Sequence, residues 1–222
     1  MKRIKKYLNL RHVVCCLIML FGFTVLTAQE NPGDTKALIN DLALEMFEDT
    51  VNKNFEAIIN RTHPKVFEFA PKEMMISLFE SMFNGGEGFK IDIPNEIPAY
   101  KISDIYEGKE GNLTFAFVSY DMKMNMTFID ESFDDEGKEM MVAMMNSQGL
   151  DVEFISDNTM KVLQKDQITV FLKEEATNNK WVLINYDTSS PIYSKVLSAE
   201  LIEQAEAYKQ SLTFQSKKKS KN

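Results

Sequence analysis

The chain has 222 residues and a formal net charge of −8 at pH 7, from 33 acidic and 25 basic residues. An acidic surface repels phosphate backbones and anionic lipid heads, so we expect neither nucleic acid nor a membrane surface as a partner. Only two cysteines and two histidines occur, which disfavours a disulfide-stapled scaffold and a Cys/His metal site.

The first 28 residues have the pattern of a cleavable signal peptide. Five basic residues lie within positions 1–11, an apolar stretch fills positions 13–26, and the small residue Ala28 suits a cleavage site. The apolar stretch is shorter than the ~20 residues that span a bilayer. Cys15 and Cys16 lie at its beginning rather than at its end, so we expect no lipid anchor. The sequence therefore predicts a secreted or periplasmic protein without membrane attachment after cleavage.

Cleavage after residue 28 would leave 194 of the 222 residues, enough for one domain with a substantial core. We expect a linker at residues 29–35, a single domain at residues 36–214 and a disordered basic tail at residues 215–222. The leader holds five of the 25 basic residues and none of the 33 acidic ones, so its removal changes the net charge to −13. It also holds both cysteines, so the stability of the mature domain must come from packing.

Two helical regions are predicted first along the chain. Apolar residues recur at spacings of three and four, which indicates a packed helical stripe with a possible bend at residues 52–54: Leu44, Phe47, Val51, Phe55 and Ile58. Pro64 ends this region because the residue before a proline avoids helical geometry. The next helix begins with Pro71 in its first turn and is stopped by the glycine pair at residues 85–86.

The pattern then changes to alternation, with short strands predicted at residues 89–93 and 100–106 and a long strand at residues 112–129. One face of the long strand is apolar: Ala116, Val118, Tyr120, Met122, Met124, Met126 and Phe128. The opposite face, from Ser119 to Thr127, is polar. Such alternation predicts a strand of an antiparallel sheet with one face buried and the other in water.

A Met-rich helix is predicted after the acidic loop at residues 130–137, and Gly149 is placed to end it. Its methionines pair at a four-residue spacing: Met140 with Met144, and Met141 with Met145. One interpretation is that the helix covers an end of the sheet and completes the core. The other is a mobile lid or partner-binding surface, since flexible thioethers adapt to varied apolar partners.

Strands resume at residues 151–155 and 159–172, and a turn at residues 177–180 leads into a last strand at residues 181–186. A final helix follows, capped by Ser198. Helices thus come first, strands joined mainly by hairpins come next, and a helix closes the chain. This segregation predicts an α+β fold rather than a parallel α/β sheet.

Three short segments resemble the nuclear transport factor 2-like superfamily, in its small exported bacterial members: residues 54–58, residues 62–66 and residues 180–185. The resemblance covers roughly residues 36–186. It implies a cystatin-like cone, in which a strongly curved antiparallel sheet wraps around N-terminal helices. The chain departs from the pattern at residues 70–72, where a glycine pair is expected, and in the Met-rich helix, which is an insertion. Isomerases, dehydratases and transport adaptors share this fold, so the resemblance implies no single activity.

We expect a non-catalytic binding module, because the apolar face of the long strand exceeds what a thin core requires. The occupant would be a small hydrophobic ligand or an apolar segment of a partner protein. The expected lining residues are Tyr120, Met122, Met124, Met126, Phe128 and Trp181. No catalytic residue, metal or cofactor is predicted, and His63, the one histidine after cleavage, is expected to pack or cap locally.

Two alternatives remain open. A cofactor-independent isomerase, dehydratase or lyase would need an inward Asp or Glu with a raised pKa beside Tyr106, Tyr120 or Tyr186. A structural or adaptor protein would form a homodimer through the exposed face of its sheet.

Overall fold

The computed structural model describes residues 32–86, 88–109, 112–187 and 190–219. These residues form an α+β fold in which helices flank a curved antiparallel sheet, as the order of the sequence patterns predicts. The predicted signal peptide, residues 1–28, lies outside the described residues. Within the described part of the chain, we find no helix with the length and apolar character needed to cross a membrane.

Three helices precede the sheet: α1 (Pro32–Val51), α2 (Phe55–Arg61) and α3 (Lys72–Asn84). The bend predicted between α1 and α2 occurs at Lys53, which has a positive φ of 57°. A 3-10 helix (Pro64–Glu68) links α2 to α3, and Gly85 ends α3 with a φ of 90°, which glycine adopts without strain. Helix α1 starts before residue 36, so the end of the expected linker is helical.

Two long antiparallel strands, β4 (Leu113–Phe128) and β6 (Thr159–Glu174), form the centre of the sheet. Three short strands pair along the outer edge of β4: β1 (Phe89–Asp92), β2 (Tyr100–Ile102) and β3 (Tyr106–Glu107). Two more pair along β6: β5 (Asp151–Phe154) and β7 (Val182–Asn185). The strand expected at residues 100–106 is therefore split into β2 and β3.

A bulge interrupts the pairing of the two long strands. Tyr120 pairs with Gln167 and Met122 pairs with Gln164, so β6 carries one extra residue. Asp166 takes a positive φ of 52° there, and its backbone N–H donates to the Asp121 carboxylate at 2.9 Å. Bulges bend a strand and increase its twist, which accounts for the curvature of the sheet at this point.

The first half of β4 is buried on both faces, which corrects the expectation of one wet face. Ala116 and Val118 pack with Ile39 and Ala43 of α1 on one side. On the other side Phe115 and Phe117 pack beneath the C-terminal helix α6 (Ala199–Lys219), a layer that the sequence analysis did not anticipate. We expected this face of the sheet to be exposed and available for a homodimer, but α6 covers it along the first half of β4.

The second half of β4 packs under the Met-rich helix α4 (Asp135–Ser147). Met124, Met126 and Phe128 lie on the same face as Met160 and Val162 of β6, and α4 covers that face. The Asp134 side chain caps α4 by accepting from the Gly137 N–H at 2.9 Å.

The chain ends in two helices. A short helix, α5 (Tyr193–Val196), was not predicted, whereas the Ser198 cap of α6 is present, with its Oγ accepting from the Leu201 N–H at 3.2 Å. Helix α6 continues through Lys219. Residues 215–219, which we expected in a disordered tail, are therefore helical.

Candidate ligand-binding cavity

A cavity of about 490 Å³ lies between helices α1–α3 and the curved face of β4 and β6. Its walls are mainly aromatic, methionine and isoleucine side chains, such as Phe55, Ile59, Phe79, Met82, Phe83 and Ile91. The volume falls within the ~300–1,000 Å³ of small-molecule sites in proteins. Three of the residues that flank the bulge, Tyr120, Met122 and Gln164, line this cavity.

Residues of four strands, β1, β4, β6 and β7, form the sheet wall of the cavity. Tyr120, Met122 and Met124 all line the cavity, and each is half-buried. The other two predicted β4 residues, Met126 and Phe128, do not line the cavity and pack into the cluster beneath α4. Trp181 packs beside the α1 cluster instead, with Lys173 Nζ 5.5 Å from its ring centroid. The structure thus brings three of the six predicted lining residues together.

A second cavity of about 370 Å³ adjoins the first beneath the loop between β1 and β2. Four residues line both cavities: Phe47, Thr50, Ile93 and Met122. Met122 lies in the wall that the two cavities share. Methionine side chains are flexible, so a change of the Met122 rotamer alters the space in both cavities.

Two polar residues of the cavity wall, Tyr120 and Asn185, are linked by hydrogen bonds through Thr169. The Tyr120 hydroxyl lies 3.2 Å from Thr169 Oγ1, which donates to the Asn185 side-chain oxygen at 3.0 Å. Burial raises the pKa of Tyr120, and its ring meets the Phe47 ring edge-on at 4.9 Å. Tyr120 is therefore a neutral, fixed part of the wall.

The carboxylate required by the isomerase alternative is not buried here. Among the described lining residues of the larger cavity, Asp187 is the one acidic side chain, and it is exposed. Apolar walls raise a carboxyl pKa only when they exclude water from the group. Tyr106 and Tyr186 lie outside the lining of both cavities in the described part of the chain.

His63 is fully buried and has a structural role. Its Nδ1 accepts from the Lys65 N–H at 3.2 Å, capping the 3-10 helix, and this leaves Nε2–H to donate to Glu174 Oε1 at 3.1 Å. Burial lowers the His63 pKa, against the opposing effect of Glu174. The expectation of a locally capping histidine is confirmed. Across the described ranges, no three His, Cys, Asp or Glu side chains gather as a metal site requires.

The four methionines of α4 divide into two pairs with different surroundings. Met141 and Met145 pack against the cluster of β4, β5 and β6, whereas Met140 and Met144 are 73% and 46% exposed. In the part of the chain that the structure describes, none of the four lines either cavity.

Replacing Met141 with glutamate should lower the free energy of unfolding by about 2 kcal/mol, because a carboxylate would enter an apolar contact. Met140→Glu makes the same change on the exposed side and should shift it by less than about 0.5 kcal/mol. Urea denaturation of both variants measures the difference. Equal stabilities would contradict the packing of α4 on the sheet.

Several lining residues were missed because they come from distant elements. Met75, Phe79, Met82 and Phe83 of α3 face the cavity, while Met74 and Leu78 on the same helix are exposed. The spacing of Met75, Phe79 and Met82 predicts that they share one packed face of a helix. It does not predict which element that face packs against.

Comparisons with protein-family models, with curated proteins and with solved structures give no match for this chain.

Proposed function

We propose that this protein is an exported, non-catalytic binding module that holds a small hydrophobic ligand in the cavity between α1–α3 and the curved sheet. The observation that carries the proposal is the cavity of about 490 Å³ with largely apolar walls. Folded interiors are normally close-packed, with few voids larger than a water molecule. An apolar space of this size is typical of a binding site.

The fold supports the proposal as well. Helices that precede a curved antiparallel sheet are the arrangement implied by the resemblance to the nuclear transport factor 2-like superfamily, and the cavity lies between those helices and the sheet. We propose this cone as the finer description of the fold, with α4 as the insertion. The sheet remains open, with β1 and β5 at its two ends.

Non-catalytic binding is favoured over isomerase chemistry by the polarity of the walls. The lining carboxylate Asp187 is exposed, and the Tyr120 hydroxyl is engaged by Thr169. A general base must lie within reach of the proton that it removes from a bound substrate, and it must be shielded from water. The wall offers apolar contact area instead.

Titration with N-phenyl-1-naphthylamine, a neutral dye that fluoresces in apolar surroundings, tests the proposal. We expect saturable binding of one dye per chain. Dye at about a hundred times its Kd should raise the free energy of unfolding by about 2.7 kcal/mol. A fluorescence gain that never saturates, with no change in stability, would remove the proposed function.

A further inference from the structure

Tyr193 stands out among the residues that line the larger cavity. It opens helix α5, its side chain is 4% exposed, and its ring packs edge-on against Tyr186 at 5.0 Å between centroids. Its neighbours in the same buried cluster include Val66 and Ile184, which also line the cavity. The phenol ring is thus held firmly at the boundary between core and cavity.

The hydroxyl of Tyr193 is buried and has no hydrogen-bond partner among the described residues. Buried hydroxyls nearly always have a partner, because the group has given up its hydrogen bonds to water. Burial, with smaller effects from Tyr186 and Glu206, raises the pKa of Tyr193, so the group keeps its proton at neutral pH. Tyr193 lines the cavity, and its hydroxyl is a buried donor without an acceptor among the described residues.

The charges around the cavity restrict what that acceptor can be. No lysine or arginine occurs among its described lining residues, and Asp187 contributes a negative charge. An anionic headgroup buried at Tyr193 would have no cation among these lining residues, which is unfavourable. A neutral oxygen acceptor avoids this cost.

We propose that Tyr193 anchors the ligand by donating a hydrogen bond, and that the ligand is a neutral, mainly apolar molecule with an oxygen acceptor such as a ketone or ester carbonyl. This inference rests on the proposed ligand-binding function and adds the chemical class of the ligand. The role of Tyr193 is recognition, with no bond made or broken.

Three compounds with one apolar body test the inference by displacement of the bound dye. They are 2-acetylnaphthalene, which carries a neutral acceptor, 2-ethylnaphthalene, which lacks one, and 2-naphthoate, which is anionic. We expect the ketone to bind about tenfold more tightly than the hydrocarbon, since it supplies the partner that the buried donor lacks. The anion should bind most weakly.

The variant Tyr193→Phe removes the hydroxyl and keeps the ring. Its preference for the ketone over the hydrocarbon should fall to about one, while its affinity for the hydrocarbon stays within about twofold of the unmodified protein. Its stability should not decrease, because an unpartnered polar group is lost. Tyr186→Phe, which changes the adjacent ring outside the cavity lining, should keep the tenfold preference.

The outcomes separate the two proposals. Equal binding of ketone and hydrocarbon by the unmodified protein, or a preference that survives Tyr193→Phe, would overturn the anchor while leaving the binding function intact. Tightest binding by 2-naphthoate would overturn the neutral ligand class. Failure of every compound and of the dye to bind the folded protein would overturn the binding function itself.

Discussion

Replacing Met122 with glutamate should weaken binding of N-phenyl-1-naphthylamine about a hundredfold, equivalent to about 2.7 kcal/mol at 25 °C. Met122 lies in the wall shared by the two cavities. A carboxylate there would lose its hydration whenever an apolar molecule occupied either space. Dye titration gives the affinity, and thermal unfolding shows whether the variant is folded.

Two matched variants control that experiment. Met140→Glu makes the same chemical change on the 73% exposed side of α4, outside the cavity lining, and should bind the dye as the unmodified protein does. Met122→Leu keeps the wall apolar and should change the affinity less than threefold or so. A folded Met122→Glu protein with unchanged affinity would place the dye elsewhere on the molecule.

Replacing Phe117 with alanine should lower the free energy of unfolding by about 3–5 kcal/mol. The Phe117 side chain is fully buried between β4 and α6, and its ring stacks on Tyr208 at 5.0 Å between centroids. The substitution would leave a void between sheet and helix that rigid neighbours cannot fill. Urea denaturation gives the loss.

Phe214 supplies the control for this second prediction. It lies on the same helix α6 but is 71% exposed, so Phe214→Ala removes the same group from water rather than from the core. We expect its effect to stay below about 0.5 kcal/mol. Similar losses for the two variants would show that α6 does not cover the β4 face as described.

Most elements of the fold could be predicted from local patterns. The bend at Lys53, the end of α3 at Gly85 and the Ser198 cap each depend on residues adjacent in sequence. Short-range steric and hydrogen-bonding effects decide such features, so a single sequence carries the information.

The burial of both faces of the first half of β4 also has a signal in the sequence. Residues 113–118 form a nearly continuous apolar run, and Phe115 and Phe117 occupy the face opposite Ala116 and Val118. A continuous run indicates a strand covered on both sides. Alternation begins only after Ser119, so the two halves of the strand follow different patterns.

The cavity could be predicted only in part. Alternation placed Tyr120, Met122 and Met124 on one face, and all three line the cavity. The bulge beside the cavity places Asp166 at a positive φ of 52°, and although aspartate adopts positive φ more often than most residues, one such residue in a strand pattern does not locate a bulge. Tyr193 reaches the wall through α5, a helix of four residues, too short to show a periodic pattern.

The most direct test of the account follows the methionine methyl groups by NMR, in protein labelled with [methyl-¹³C]methionine and titrated with the dye to saturation. Methyl signals of Met82, Met122 and Met124, which line the cavity, should shift, while those of the exposed Met140 and Met144 should not. Shifts confined to Met140 and Met144, or no shift at any methionine at saturation, would contradict a ligand site between the helices and the curved sheet.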